Sequence, residues 1–260
     1  MACFTRRIPP ALLALPPRGF LNLHPSLLPA YRGPQPLFWQ LRDGAPTGAT
    51  VHYLDAGLDT GDIAAQTAAP LPDGIAGPDA ERRLALAGLA LLRGVLDDLA
   101  AGVVRRRPQG PGSTQPTPAD ADFALSTDWP ARRAFNFMRG TADWGKPYPI
   151  EVNGRTEWLA AAEEYSEAAL DRPSVRHGQH IVIRCSPGVL FARLHPLWAV
   201  SSAPTPALFH HQWQDHGPLT SLSAPLARSS GRRRVGQRRV GGRPLGPHRR
   251  RPCGRAGRPH

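Results

Sequence analysis

The chain has 260 residues, enough for one or two domains with buried cores, and 41% of them are hydrophobic, as in globular proteins. Its formal net charge of +12 comes from residues 228–260, which hold twelve Arg and no Asp or Glu, whereas the preceding residues carry 20 basic and 20 acidic side chains. The body is formally neutral, so all the excess positive charge lies in the tail, and no uninterrupted apolar run approaches the roughly 20 residues that span a bilayer. Its three cysteines are scattered and odd in number, which indicates a reduced cytosolic location. We therefore expect a cytoplasmic protein without a membrane partner, in which residues 228–260 could bind nucleic acid non-specifically.

The first predicted element is a short strand followed by a loop. In Phe-Leu-Asn-Leu-His, residues 20–24, Asn22 and His24 project to one side and the two leucines to the other. Three prolines and a glycine in residues 25–34 then end the strand and build a loop, where catalytic groups are often displayed. The pattern predicts an amide and an imidazole together over a pocket.

A second strand, a glycine-containing loop and a long helix follow. Residues 48–54 alternate as a strand in which His52 shares a face with Thr50, and we interpret His52 as making a structural hydrogen bond. Residues 55–62 form the loop. Residues 79–101 are predicted to be a helix that Gly102 terminates. Its apolar face comprises Leu84, Ala87, Leu91, Val95 and Leu99.

The remaining chain divides into a linker, a β-rich segment and a tail. Residues 107–119 have the proline- and glycine-rich composition of a linker. Residues 120–198 contain one short helical pattern and strand-like runs separated by the turn signals Asn153-Gly154 and Ser186-Pro187-Gly188, which predicts a small β-barrel with one helix. Residues 199–260 lose all periodicity and are predicted to be a disordered basic tail.

Two motifs resemble the signature of formyltransferases that use 10-formyltetrahydrofolate. They are FLNLHPSLLPAYRGP at residues 20–34 and LDTGDI at residues 58–63. The resemblance implies an α/β fold, in which residues 1–106 form the C-terminal part of the catalytic domain with a partial parallel sheet. The family's first strands and helices have no counterpart in this chain. Residues 120–198 would then be the OB-like C-terminal domain, because residues 126–133 resemble the start of that domain in methionyl-tRNA formyltransferases.

Three side chains match the chemistry that formyl transfer needs. The reaction forms an oxyanion and moves a proton between two nitrogens, so it needs a hydrogen-bond donor, a proton carrier and a carboxylate that holds the carrier. The resemblance assigns these roles to Asn22, His24 and Asp59, with the site expected at the carboxyl ends of parallel strands. No metal is required, and the sequence offers no ligand set for one.

The resemblance also implies residues that contact the folate and the acceptor. Residues expected to flank 10-formyltetrahydrofolate are Arg7, Ile8, Asp55, Gly57 and Leu58. Residues of the substrate loop, which either shape that loop or touch substrate, are Ser26, Tyr31, Arg32 and Gly33.

The expected activity is transfer of a formyl group to a primary amine, with initiator methionyl-tRNA as the leading acceptor. The second, β-rich domain favours an acceptor larger than a purine precursor. An amino-sugar nucleotide N-formyltransferase and a formyltetrahydrofolate hydrolase are alternatives with the same three residues. From another class, the chain could be an inactive truncated remnant, or an RNA-binding protein that acts through its Arg-rich tail.

Overall fold

The computed structural model describes residues 8–196, all of which lie in one compact unit, Met1–Thr205. Predictions for Arg7 and for residues 199–260 therefore lie outside the described residues. A one-turn helix, α1 (Pro10–Leu13), comes first, and two antiparallel sheets follow. No helix within residues 8–196 is both long and apolar enough to cross a membrane.

The first sheet has three strands in the order β1-β2-β3. Their bounds are β1 Leu21–His24, β2 Gly48–Tyr53 and β3 Ile63–Ala68. Both strand pairs are antiparallel, so the expected parallel sheet, with a site at the carboxyl ends of parallel strands, is wrong for this part of the fold. The reason is visible at β2–β3, where residues 54–62 are fewer than the dozen or more that a parallel crossover needs.

Helix α2 (Pro36–Asp43) connects β1 with β2 but belongs to a different core from the sheet. It begins with Pro36 in its first turn and ends at Gly44, whose φ of 65° is the left-handed conformation that glycine adopts without strain. Its Phe38 ring packs against the rings of Phe123 and Phe137 at centroid distances of 5.2 and 5.3 Å. The loop between β1 and α2 is therefore anchored at its far end by a packed aromatic cluster.

Helix α3 (Gly77–Ala100) covers one face of the first sheet. The predicted apolar face is largely confirmed, since Leu84, Val95 and Leu99 are buried and the other two predicted residues are half-buried. Gly102 follows the helix with a φ of 80°, as its predicted role at the helix end requires. The helix crosses the sheet closely at Gly88, where an added Cβ would lie 2.2 Å from the Leu23 side chain.

The second sheet is β-rich as predicted, with five antiparallel strands in the order β4-β5-β8-β7-β6. Their bounds are β4 Tyr148–Val152, β5 Arg155–Ser166, β6 Ser174–His177, β7 His180–Arg184 and β8 Val189–Leu194. The predicted helix is α4 (Ala131–Gly140), which packs on β5 and β8. Both turn predictions are confirmed: residues 153–154 join β4 to β5, and residues 185–188 join β7 to β8.

Candidate active site

Strand β1 places Asn22 and His24 on one face of the first sheet. The alternation predicted from the sequence is confirmed, because the intervening Leu23 and the preceding Leu21 pack into the core beneath α3. On β2, His52 is the register partner of Asn22, and Thr50 is the partner of His24. The polar side chains of the two strands therefore share the face opposite α3.

The loop after β1 fixes the ring of His24. Its Nε2 lies 2.8 Å from the carbonyl oxygen of Tyr31, and a carbonyl only accepts, so Nε2 carries a hydrogen and donates it. Tyr31 has a φ of 60°, a left-handed conformation that is uncommon outside glycine. This turn brings its carbonyl oxygen within hydrogen-bond reach of Nε2, which leaves Nδ1 of a neutral His24 as an acceptor.

Asp59 enters the site from the loop between β2 and β3. It also has a left-handed φ, of 55°, and its Oδ2 accepts a 2.9 Å hydrogen bond from the backbone N–H of Gly33. The loop is tightly folded, because an added Cβ at Gly61 would lie 1.9 Å from the carbonyl oxygen of Tyr53. Backbone geometry therefore directs the carboxylate inward rather than into solvent.

The carboxylate of Asp59 lies between two imidazoles. Its Oδ2 is 3.7 Å from Nδ1 of His24, and its Oδ1 is 3.6 Å from Nε2 of His52. A protonated His24 would satisfy both of its contacts at once, donating from Nε2 to Tyr31 and from Nδ1 toward Asp59. The geometry thus provides a stabilising partner for the imidazolium form of His24.

His52 is the site residue that sequence reasoning missed. It makes the expected structural hydrogen bond, from Nδ1 to the carbonyl oxygen of Tyr53 at 2.9 Å. With Nδ1 as donor, the Nε2 of a neutral His52 accepts from Nδ2 of Asn22, 3.3 Å away. This bond fixes the amide orientation of Asn22, so that its second N–H remains available to a substrate oxygen. The only sequence signal was the shared polar face of β1 and β2, which requires their register to be known.

Burial and charge act in opposite directions on the two ionisable groups. Burial is the largest influence on His24 and lowers its pKa, and the neighbouring Asp59 offsets this only in part. Burial, the largest influence, would raise the pKa of Asp59, but the hydrogen bond from the Gly33 N–H and the neighbouring His24 act in the opposite direction, and the pKa lies below its ordinary value. The resting site accordingly holds a carboxylate beside a neutral imidazole at neutral pH.

We expect these shifts to make the fold less stable in acid. The unfolded chain binds a proton on His24 near pH 6.5 while the folded chain resists it, so the free energy of unfolding should fall as pH drops below about 6.5. Asp59 has a lowered pKa, so its contribution is present above its ordinary value of 3.8 and is lost below that value.

Chemical denaturation between pH 4.5 and 7.5 tests this expectation, within the range where histidines titrate. His24→Gln should flatten the slope just below pH 6.5, and the exposed His177→Gln should serve as the matched control that retains it. An unchanged slope in His24→Gln would show that protonation of His24 is not linked to folding.

The predicted substrate loop reaches the site mainly through its backbone. Tyr31 and Gly33 contact His24 and Asp59 through a carbonyl and an N–H. The buried Ser26 hydroxyl donates to the carbonyl oxygen of Ala30 at 2.8 Å, inside the loop. The Arg32 guanidinium turns toward residues 109 and 110. These contacts favour a loop-shaping role, and substrate contact by the four residues stays a prediction.

Three of the residues predicted to flank the folate, Asp55, Gly57 and Leu58, lie in the loop that carries Asp59. Asp55 shapes this loop, since its Oδ1 accepts from the Gly57 N–H at 3.0 Å and the Thr60 hydroxyl at 2.7 Å. Leu58 is exposed and Ile8 is half-buried. Their folate contacts stay a prediction. Within residues 8–196, no group of three or more His, Cys, Asp or Glu side chains could hold a metal ion.

Comparisons with known proteins find similarity in the part of the chain that builds this site. The sequence model of the family described as Formyl transferase matches residues 1–92. A methionyl-tRNA formyltransferase of Pelotomaculum thermopropionicum is 35% identical over 173 residues, covering 65% of this chain and 55% of the relative. Another, of Pelobacter propionicus, is 36% identical over 147 residues, covering 55% and 46%. The chain thus spans about half the length of the curated relatives it matches.

A solved structure shares the fold. The N-formyltransferase of Helicobacter canadensis, in complex with folinic acid and dTDP-3-aminofucose, superposes with a TM-score of 0.51 at 15% identity. The match covers 67% of this chain and 65% of the other. At this identity the likeness shows the fold alone.

Proposed function

Because the formyl transferase family model matches residues 1–92, we propose that this chain transfers a formyl group from 10-formyltetrahydrofolate to the amine of a methionyl-tRNA. The observation that carries this proposal is the convergence of Asn22, His24 and Asp59. Asp59 lies 3.7 Å from His24, and His52 lies between Asn22 and Asp59, at 3.3 and 3.6 Å from them. An amide donor and an imidazole on one sheet face, with a carboxylate from the neighbouring loop, are the groups that this reaction requires.

The chemistry balances without a further reactant. The amine nitrogen bonds to the formyl carbon as the bond from that carbon to N10 of the folate breaks, and the proton that the amine loses ends on N10. Asn22 donates its second Nδ2–H to the oxygen that becomes negative in the transition state. His52 keeps the amide in that orientation by accepting the first hydrogen.

His24 and Asp59 together transfer the proton from the amine to the folate nitrogen. Nε2 of His24 is occupied by the Tyr31 carbonyl, so Nδ1 is the atom that accepts a proton. The neighbouring carboxylate of Asp59 stabilises the resulting imidazolium. Since burial lowers the pKa of His24, the imidazolium releases the proton readily to the leaving nitrogen.

Our assignment of methionyl-tRNA as the acceptor rests on sequence similarity, because Asn22, His24 and Asp59 would serve any amine acceptor. Relatives at 35 and 36% identity are methionyl-tRNA formyltransferases, and this similarity favours methionyl-tRNA as the acceptor. The second sheet, in the role of an OB-like domain, would offer the additional surface that a tRNA needs. Non-specific nucleic-acid binding through residues 228–260 and a cytoplasmic location belong to the same proposal.

A comparison of acceptors tests this function. The full 260-residue chain is incubated with formyl-labelled 10-formyltetrahydrofolate and either methionyl-tRNA, a dTDP-amino-sugar or buffer alone. We expect label on methionyl-tRNA. If only the sugar nucleotide becomes labelled, the acceptor is an amino sugar and not methionyl-tRNA. Labelled formate released without any acceptor would indicate a hydrolase. No turnover in any of the three reactions would contradict the proposal.

A further inference from the structure

The segment predicted to be a linker lies against both loops of the site. We call residues 107–116 the strap. At one end Arg107 and Ile63 exchange two backbone hydrogen bonds of 2.8 and 3.0 Å at the start of β3. Toward the other end, the N–H of Arg32 donates to the carbonyl oxygen of Ser113 at 3.0 Å. The strap therefore spans from the β2–β3 loop to the loop after β1.

The side-chain amide of Gln109 makes four hydrogen bonds within this arrangement. Its Nε2 donates to the carbonyl oxygens of Asp59 and Gly61 at 2.9 and 2.7 Å. Its Oε1 accepts from Nε and Nη2 of Arg32 at 3.2 and 2.8 Å. Carbonyls only accept and a guanidinium only donates, so these partners allow one orientation of the amide.

These four bonds join the two backbone segments that determine the catalytic geometry. Asp59 holds a left-handed φ that a non-glycine residue adopts only when its surroundings support it, and Gln109 binds its carbonyl directly. Arg32 stands between Tyr31, which binds His24, and Gly33, which binds the Asp59 carboxylate. Gln109 thus tethers the Asp59 loop to the segment that orients both partners.

We propose that Gln109 is a positioning residue for formyl transfer, which sets the separation of Asp59 and His24 without touching the reacting atoms. The activity part of this inference rests on the proposed function, whereas its geometric part does not. The reaction rate is sensitive to the geometry of a catalytic pair, since a misplacement of about 1 Å can reduce the rate by about 100-fold.

Two variants and a matched control test the proposal. Gln109→Ala removes all four bonds. Gln109→Glu keeps an acceptor for Arg32 but places a carboxylate oxygen against two carbonyls. Gln115→Ala is the control, because it lies in the same strap and its side chain makes none of the hydrogen bonds seen within residues 8–196. Its backbone N–H bond to the Arg32 carbonyl is retained.

The first readout is amide hydrogen exchange of Gly33, whose N–H reports its bond to the Asp59 carboxylate. We expect both Gln109 variants to exchange roughly 10-fold faster and the control to match wild type. The second readout is formyl transfer, in which kcat should fall roughly 10- to 100-fold with KM nearly unchanged.

The proposal would be overturned if the Gly33 amide exchanged at the wild-type rate in both Gln109 variants. An equal increase in the exchange rate of Gly33 in Gln115→Ala would also overturn it. Faster exchange with unchanged kcat would overturn the role in positioning for catalysis. If the wild-type chain transfers no formyl group to any acceptor, the proposed function fails, while the exchange of Gly33 still decides whether Gln109 holds the Asp59 loop.

Discussion

Replacing Asp59 by Asn is expected to reduce formyl transfer by about 10²- to 10⁴-fold, the range attributed to a positioned acid–base group. The substitution keeps the size of the side chain and an acceptor for the Gly33 N–H, but removes the charge beside Nδ1 of His24. Without that charge the imidazolium of His24 loses its ionic partner and keeps only the hydrogen bond to the Tyr31 carbonyl, so the loss should appear in kcat. Steady-state rates with methionyl-tRNA provide the measurement.

Asp62→Asn is the matched control for this experiment. Asp62 lies at the end of the same loop, and its carboxylate is 3.8 Å from the Arg106 guanidinium, away from the two imidazoles. An exposed pair of this kind contributes little, so the control should retain nearly full activity. Similar losses in both variants would mean that general disruption of the loop, rather than the charge of Asp59, causes the effect.

Replacing Asn22 by Ala should lower kcat by about 10²- to 10³-fold, as loss of one preorganised oxyanion donor does. The contact with His52 also disappears, but the strand pairing of β1 with β2 is unaffected because it uses backbone atoms. Rates and KM should be measured with both substrates varied. A raised KM with unchanged kcat would mean that Asn22 only binds substrate.

Combining the Asn22 and Asp59 substitutions gives an independent check on that assignment. Groups that act together on one transition state give losses that do not multiply, so the double variant should lose less than the product of the single losses. Fully multiplicative losses would indicate that the two side chains act in separate steps.

The local part of the site was predictable from the sequence. The alternation that separates Asn22 and His24 from their neighbouring leucines has a period of two, which a few residues reveal. The end of α3 at Gly102 is likewise a local matter of backbone conformation. The resemblance of the motif at residues 58–63 identified Asp59 as a candidate. It did not explain why the Asp59 side chain points inward.

The long-range part was not predictable from local patterns. The role of His52 depends on its register opposite Asn22, and the strand direction in the first sheet was wrongly expected to be parallel. The role of Gln109 could not be predicted from the sequence for a different reason. A proline- and glycine-rich composition indicates only the absence of helix or sheet, and says nothing about which surface an extended segment lies on.

Single-turnover transfer with the chain in excess over labelled 10-formyltetrahydrofolate tests the central claim most directly, because it measures chemistry without product release. The wild-type chain should move the label onto the methionyl amine and form an equal amount of tetrahydrofolate, whereas Asp59→Asn should be slower by the factor given above. Label that stays on the folate in the presence of a folded wild-type chain, or transfer at the wild-type rate by Asp59→Asn, would contradict the assignment of Asn22, His24 and Asp59 as a formyl-transfer site.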